Sequence, residues 1–245
     1  MSCELYANIG IGHENDFSVI RDRVVAAAQC NADAIVISKS TPRLLIQEDK
    51  QYVSIPSKWG HLPYIDVAKK SELSADNINR ITDLCEEIGI PLIWSVTDID
   101  ALSFLREHTT LKIVKMHFDC VHPIELMQYC KEYQIGLICK HLYKNDVKRY
   151  LNGNYQLYYS ADSFSVELKD LNLGILDSLV PLNVKVGYES KEPGIFPAVA
   201  VSYKGVSFIE KYLGDVKNDH PSVLSPDQFY DLWNSMNILE QANGS

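Results

Sequence analysis

Several things are missing from this chain, and each absence removes a class of function. Its apolar runs, such as Ala32–Ile37 and Ile135–Cys139, fall far short of the roughly 20 residues a membrane helix needs, so no membrane span is expected. The start, Met1-Ser2-Cys3-Glu4-Leu5, has neither a basic region nor an apolar core of the kind that directs export, and predicts a cytoplasmic protein. No C-x-x-C pair occurs among the six cysteines, which makes a thiolate zinc site improbable and points to buried free thiols in a reducing compartment. Basic residues are in deficit, 23 Lys+Arg against 32 Asp+Glu for a net charge of −9, and a nucleic-acid binder needs clustered Lys and Arg instead. One local cationic pocket stays compatible with that balance.

What is present is an ordinary globular composition, 46% hydrophobic and 22% charged over 245 residues, which excludes general disorder. β-rich runs alternate with amphipathic helical runs almost from end to end, the pattern of βα units around a parallel sheet. Eight strand-like runs are read: Cys3–Ile11, Asp33–Ile37, Pro91–Val96, Lys112–His117, Gly136–Lys140, Tyr155–Ser160, Asn183–Tyr188 and Val206–Lys211. Helical patterns include Asp16–Cys30, Ser74–Ile88, Pro123–Tyr133 and Ser225–Glu240, each opening near a capping residue or proline. Eight such units in this length predict one α/β domain, residues 1–245, folded as a TIM (β/α)8 barrel; a doubly wound open sheet is the competing arrangement. The segment Lys39–Lys70, with Pro42, Pro56, Gly60, Pro63 and Trp59, reads as a long loop of functional or lid type.

The first strand and its loop, Ala7-Asn8-Ile9-Gly10-Ile11-Gly12-His13-Glu14-Asn15-Asp16, resemble the A-E-I-G-I-N-H-N-G-D opening of sialic acid synthases. Ala32-Asp33-Ala34-Ile35-Val36 looks like the A-D-A-V-K of that family, and Ser71-Glu72-Leu73-Ser74 like its E-L-S helix start. Val186-Gly187-Tyr188 is similar to the strand end V-G-Y-S-D-H, and Ile209-Glu210-Lys211-Tyr212 to I-E-K-H. Asp219-His220 with Leu224-Ser225-Pro226 is similar to P-D-H and its continuation. The fragments keep the family's order along the whole chain. The resemblance implies a barrel with its site at the C-terminal ends of the strands, and condensation of phosphoenolpyruvate with an amino sugar, assisted by a divalent metal such as manganese. It also implies a homodimer and, in full-length relatives, a C-terminal antifreeze-like domain, for which this chain has no room after the barrel.

The chemistry-bearing positions depart from the pattern. Glu189-Ser190-Lys191 stands where S-D-H is expected and Leu157-Tyr158-Tyr159 where L-H-C is, so both metal-binding histidines are replaced and no metal or other cofactor is expected. Asn8 takes the place of the strand-one Glu and cannot exchange a proton as a carboxylate does. Val36-Ile37-Ser38 replaces K-F-Q, and Cys139-Lys140-His141 replaces a small S-T-G. Lys115, His13 and Asp219 match surviving family positions and are the candidate catalytic residues, Lys115 being the one expected to meet phosphoenolpyruvate. Lys191, Lys140, His141, His117, Glu189 and Asn8 are candidate substrate-binding residues on one rim. Lysine at 191 would place an ammonium where a metal charge used to be. A relocated ion on His117 and His141, with Asp119 or Asp162, is the less favoured arrangement. Tyr155, Tyr158 and Tyr159 read as packing rather than a stacking platform.

Two functional readings follow. In the first, the barrel serves carbohydrate biosynthesis, of nonulosonic acids or surface polysaccharide, with altered or lost condensation; phosphoenolpyruvate or another small anion and an amino sugar are its expected ligands, and neither nucleic acid nor membrane is. In the second it is a non-catalytic binding or assembly module derived from such a synthase.

Overall fold

The computed structural model describes residues 3–10, 12–44, 52, 54–57, 60–116, 123–140, 155–161, 167–182, 184–216 and 222–244. Strand β1 (Glu4–Asn8) leads into helix α1 (Phe17–Gln29), then β2 (Ala34–Lys39). A hairpin of β3 (Ser54–Ser57) and β4 (Gly60–Pro63) follows, with helices α2 (Tyr64–Ser71) and α3 (Ala75–Ile88). The rest runs β5 (Leu92–Val96), α4 (Ile99–His108), β6 (Ile113–Met116), α5 (Pro123–Glu132), β7 (Gly136–Lys140), β8 (Tyr155–Ser160), α6 (Leu176–Leu179), β9 (Val186–Ser190), α7 (Phe196–Ser202), β10 (Phe208–Tyr212) and α8 (Pro226–Ala242). Eight of the strands close a parallel barrel in the order β1-β10-β9-β8-β7-β6-β5-β2. This is the expected TIM barrel, and closure rules out the open sheet.

Local chemistry sets the helix ends. Asp16 accepts from the amide of Ser18 at the start of α1, and Ser74 from that of Asn77 at the start of α3. Ser225 and Gln228 form a reciprocal capping box on α8, of the kind that satisfies two otherwise orphaned amides. Helix α3 stops at Gly89, whose φ of 78° is left-handed and suits glycine. Each long helix buries one stripe, such as Ile20, Val24 and Ala27 of α1 or Ile78, Ile81 and Cys85 of α3, and hydrophobic burial of that stripe seats it on the barrel.

Alternation along the strands divides the core in two. Leu5, Ala7, Ile35, Ile37, Trp94 and Val114 face the helices. Tyr6, Ala34, Val36, Ile93, Ile138, Tyr158 and Phe208 fill the barrel interior. Tyr6 and Phe208 stack there at 4.8 Å between centroids. Phe208 also explains a glycine: a Cβ on Gly187 would lie 2.1 Å from its ring, so only a residue without a side chain leaves space for it.

Two expectations change in detail. The segment 39–70 is no simple loop, since it contains the β3–β4 hairpin and α2. Strands β9 and β10 also run further than their apolar patterns suggest, to Ser190 and Tyr212, because the polar residues at their ends face a buried network rather than water. The cysteine reading holds for the five described residues, all buried and unbridged. Burial pushes the thiols of Cys3, Cys85 and Cys130 up to about 12, which leaves them protonated and unreactive. Among the described residues no helix is long and apolar enough to cross a membrane.

Candidate functional site

At the C-terminal end of the barrel the inward positions turn from apolar to polar. On β1 the change is from Tyr6 to Asn8, on β6 from Ile113 to Lys115, on β9 from Gly187 to Glu189 and on β10 from Phe208 to Glu210. Glu189 and Glu210 are register partners on neighbouring strands, so their carboxylates enter the interior side by side. Lys115 comes from β6 and meets both. Its Nζ lies 2.6 Å from Glu210 Oε1 and 3.3 Å from Glu189 Oε1, and all three side chains are only 1% exposed. Asn8 Nδ2 donates to the same Glu210 oxygen at 2.6 Å, while Asn8 Oδ1 accepts from the Gly10 amide at 2.8 Å. Tyr212 donates its hydroxyl to Glu189 Oε1 at 2.9 Å. Lys191, just past β9, places its Nζ 3.7 Å from Glu189 Oε2. The ring of Tyr158 forms the floor, 4.6 Å from the Lys115 ammonium, a cation–π distance.

The electrostatics follow from the count. Burial pulls the Lys115 ammonium down, but the carboxylates of Glu189 and Glu210 outweigh it and hold the ammonium above its ordinary value. Glu210 is pushed up, first by burial and further by the Glu189 carboxylate, against the pull of Lys115. Both directions are those of an ammonium placed between two buried acids, of which Glu189 also has the Lys191 ammonium 3.7 Å away and Glu210 has Lys115. Tyr212 is held neutral by burial and by those same carboxylates.

A second polar cluster lies on the other face of the same two strands. Lys211 Nζ donates to Ser190 Oγ at 2.9 Å and to the Glu192 carbonyl. Ser190 donates in turn to Glu192 Oε1 at 2.7 Å, and Tyr188 to Oε2 at 2.8 Å. The Lys211 amine has no carboxylate oxygen within ion-pair distance among the described residues, and burial pulls it down to about 8 despite the Glu192 charge nearby.

The sequence therefore identified four members of the inner network, Asn8, Lys115, Glu189 and Lys191. Lys140 ends β7 buried, in register with Tyr158 on the inward-facing alternation. His13 does not join them. It is buried in the β1–α1 connection, with Nδ1 accepting from the Asn15 amide at 3.0 Å. Burial, aided by Arg23, pulls its ring down to about 4, and its buried Nε2 has no hydrogen-bond partner among the described residues. His117, His141 and Asp219, with Asp119, Asp162 and Trp59, lie outside the described residues. Glu210, Tyr212 and the floor role of Tyr158 were missed. The available signal was a charged pair, Glu210-Lys211, inside a strand otherwise read as buried, which alternation sends to opposite faces.

The fold and this cluster together define a (β/α)8 barrel with its polar centre at the C-terminal strand ends, where barrels of this kind place their chemistry. The chain belongs to the NeuB family, whose model matches residues 23–245. It is 25% identical to human (Homo sapiens) N-acetylneuraminate-9-phosphate synthase over 99% of this chain and 72% of that protein. It is 23% identical to N,N'-diacetyllegionaminic acid synthase of Legionella pneumophila over 100% of this chain and 74% of the relative. Among solved structures, the N-acetylneuraminic acid synthetase of Leptospira borgpetersenii superposes with a TM-score of 0.86 at 16% identity, covering 100% of this chain and 86% of that one. The family's placement in sialic-acid-type carbohydrate biosynthesis thus agrees with the motif resemblance.

Proposed function

We propose that this barrel serves nonulosonic acid or surface-polysaccharide biosynthesis without carrying out the condensation of phosphoenolpyruvate with an amino sugar. The supporting observation is the inner network: Lys115, the lysine that would receive phosphoenolpyruvate, has its ammonium engaged by Glu189 and Glu210 inside the barrel. An incoming anion would have to displace two buried carboxylates, and leaving Glu210 buried without its cation costs several kcal/mol.

The divalent metal implied by the resemblance was tested against the residues at its two histidine positions. They are Tyr158 and Lys191. The Lys191 amine faces the Glu189 carboxylate at 3.7 Å, and Tyr158 presents its ring face to the Lys115 ammonium. Neither is a ligand of the type that holds manganese or zinc. The residues do not fit the metal, and no step is routed through one.

In this reading Asn8, Glu189 and Lys115 maintain the barrel interior, while Lys140 and Lys191, which end or follow β7 and β9, are what an anionic or amino-sugar ligand would meet. His13, buried in the β1–α1 connection away from this network, keeps no proton-transfer role. The test is phosphate release from phosphoenolpyruvate with N-acetylmannosamine or a related amino sugar, with and without Mn²⁺. No release above blank is expected in either condition; turnover in either one would sink the reading and return Lys115 to the reaction.

A further inference from the structure

The ladder that ties β9 to β10 ends with Ser190 opposite Lys211. The two residues beyond it, Lys191 and Glu192, stay buried, 6% and 0% exposed, and their contacts keep to the alternation of the strand. Lys191 meets Glu189 on the inner side, Nζ to Oε2 at 3.7 Å. Glu192 meets Ser190 and Tyr188 on the outer side, each of its carboxylate oxygens accepting one hydroxyl, at 2.7 and 2.8 Å. Side chains thus do beyond the strand what ladder hydrogen bonds do within it. Lys211 joins them from β10: its Nζ donates to Ser190 Oγ at 2.9 Å and to the backbone carbonyl of Glu192. One buried amine therefore holds the chain on both sides of residue 191. An ammonium carries three donors on a long stem, enough to hold a hydroxyl and a carbonyl at once.

We infer that Lys211 is a positioning residue: with Ser190 and Glu192 it fixes the stretch of backbone that aims Lys191 inward, and so holds that ammonium ready for an anionic ligand. A lysine that is ordered only when a ligand arrives loses affinity to the entropy of its own side chain, and one held beforehand does not. The part concerning a ligand depends on the proposed function, which puts an anion at Lys191; the aiming of Lys191 does not depend on it.

The test labels the amines of the full chain with trace acetic anhydride at fixed pH and reads each lysine by mass spectrometry, in the parent, in Lys211→Met and in the milder Ser190→Ala. Lys115, 1% exposed, and Lys169, 73% exposed, are the internal references. Lys191 is expected to label slowly in the parent and several-fold faster in both variants, with Lys115 as protected as before. An unchanged Lys191 rate would overturn the inference. So would a rise shared by Lys115, or a loss of fold in both variants by circular dichroism, since the cluster would then hold the barrel as a whole rather than aim one side chain. Should only Lys211→Met fail to fold, Ser190→Ala decides by the same criteria. Calorimetric titration with phosphoenolpyruvate as the anion supplies the second arm. Its affinity should fall by several-fold to about tenfold in the folded variants, the cost of ordering one long side chain on binding. Faster labelling with undiminished affinity would overturn the role in ligand binding. No binding to the parent would count against the proposed ligand, and the labelling arm alone would then decide whether Lys211 aims Lys191.

Discussion

Lys115 and Lys211 are both buried near the C-terminal ends of their strands, one inside the barrel wall and one between wall and helices, and their amines are driven in opposite directions. Lys115 touches two carboxylate oxygens and is held charged. Lys211 touches a hydroxyl and a carbonyl and is pulled down to about 8. Depth does not separate them, since both are at most 1% exposed. The difference is the charge of the atoms in contact: dipoles satisfy the hydrogen bonds of an ammonium but do not repay its lost hydration, whereas carboxylates do.

The largest effect should come from breaking the inner side of this comparison. Lys115→Met leaves Glu210 buried without its cation, with Lys191 the remaining ammonium beside Glu189, and should cost about 3–5 kcal/mol, as loss of one partner from a buried ion pair does, measured by urea unfolding. Adding Glu189→Gln and Glu210→Gln should restore part of that loss, because the uncompensated charge then disappears. A triple variant no more stable than the single one would show that packing, not charge, is what Lys115 provides.

The outer side predicts a pH dependence. The unfolded chain binds the Lys211 proton up to its ordinary 10.5, the folded chain only to about 8, so between those values the unfolded state holds more protons and folding stability rises with pH. The full span corresponds to about 3 kcal/mol at most. Subtracting the pH–stability curve of Lys211→Met from that of the parent isolates it; a flat difference between pH 8 and 10.5 would remove the distinction drawn here.

His13 sharpens the comparison as a third buried base, pulled down by burial and by the Arg23 charge. Its folded value near 4 lies below the ordinary 6.5, so the unfolded state again binds the extra proton, now between about pH 4 and 6.5. Stability from this group is complete above 6.5 and is lost as pH falls toward 4, again by up to about 3 kcal/mol before offsets from nearby carboxylates. His13→Asn should flatten that acidic limb, with little change at pH 7.5.

The strand and helix order was legible because it is written locally. Capping at Asp16, Ser74 and Ser225 and the apolar stripes of α1 and α3 are properties of short windows. The segment from Lys39 to Lys70 was harder to read, since a hairpin with two prolines has no strong period. The site was half legible. Asn8, Glu189 and Lys191 stood out by departing from a family pattern and Lys115 by keeping to it, whereas Glu210 was read only as part of a matching motif and was not singled out.

By itself, then, the sequence determined a barrel and its family, because periodicity and motif order depend only on neighbours along the chain. It could not decide what Lys115 does. That lysine lies 95 residues from Glu210 in sequence, and only closure of eight strands into one barrel brings them into contact. The same residue type in an open rim would be a binding group for an anion. Enclosed with two carboxylates where water cannot screen them, it becomes their counter-ion.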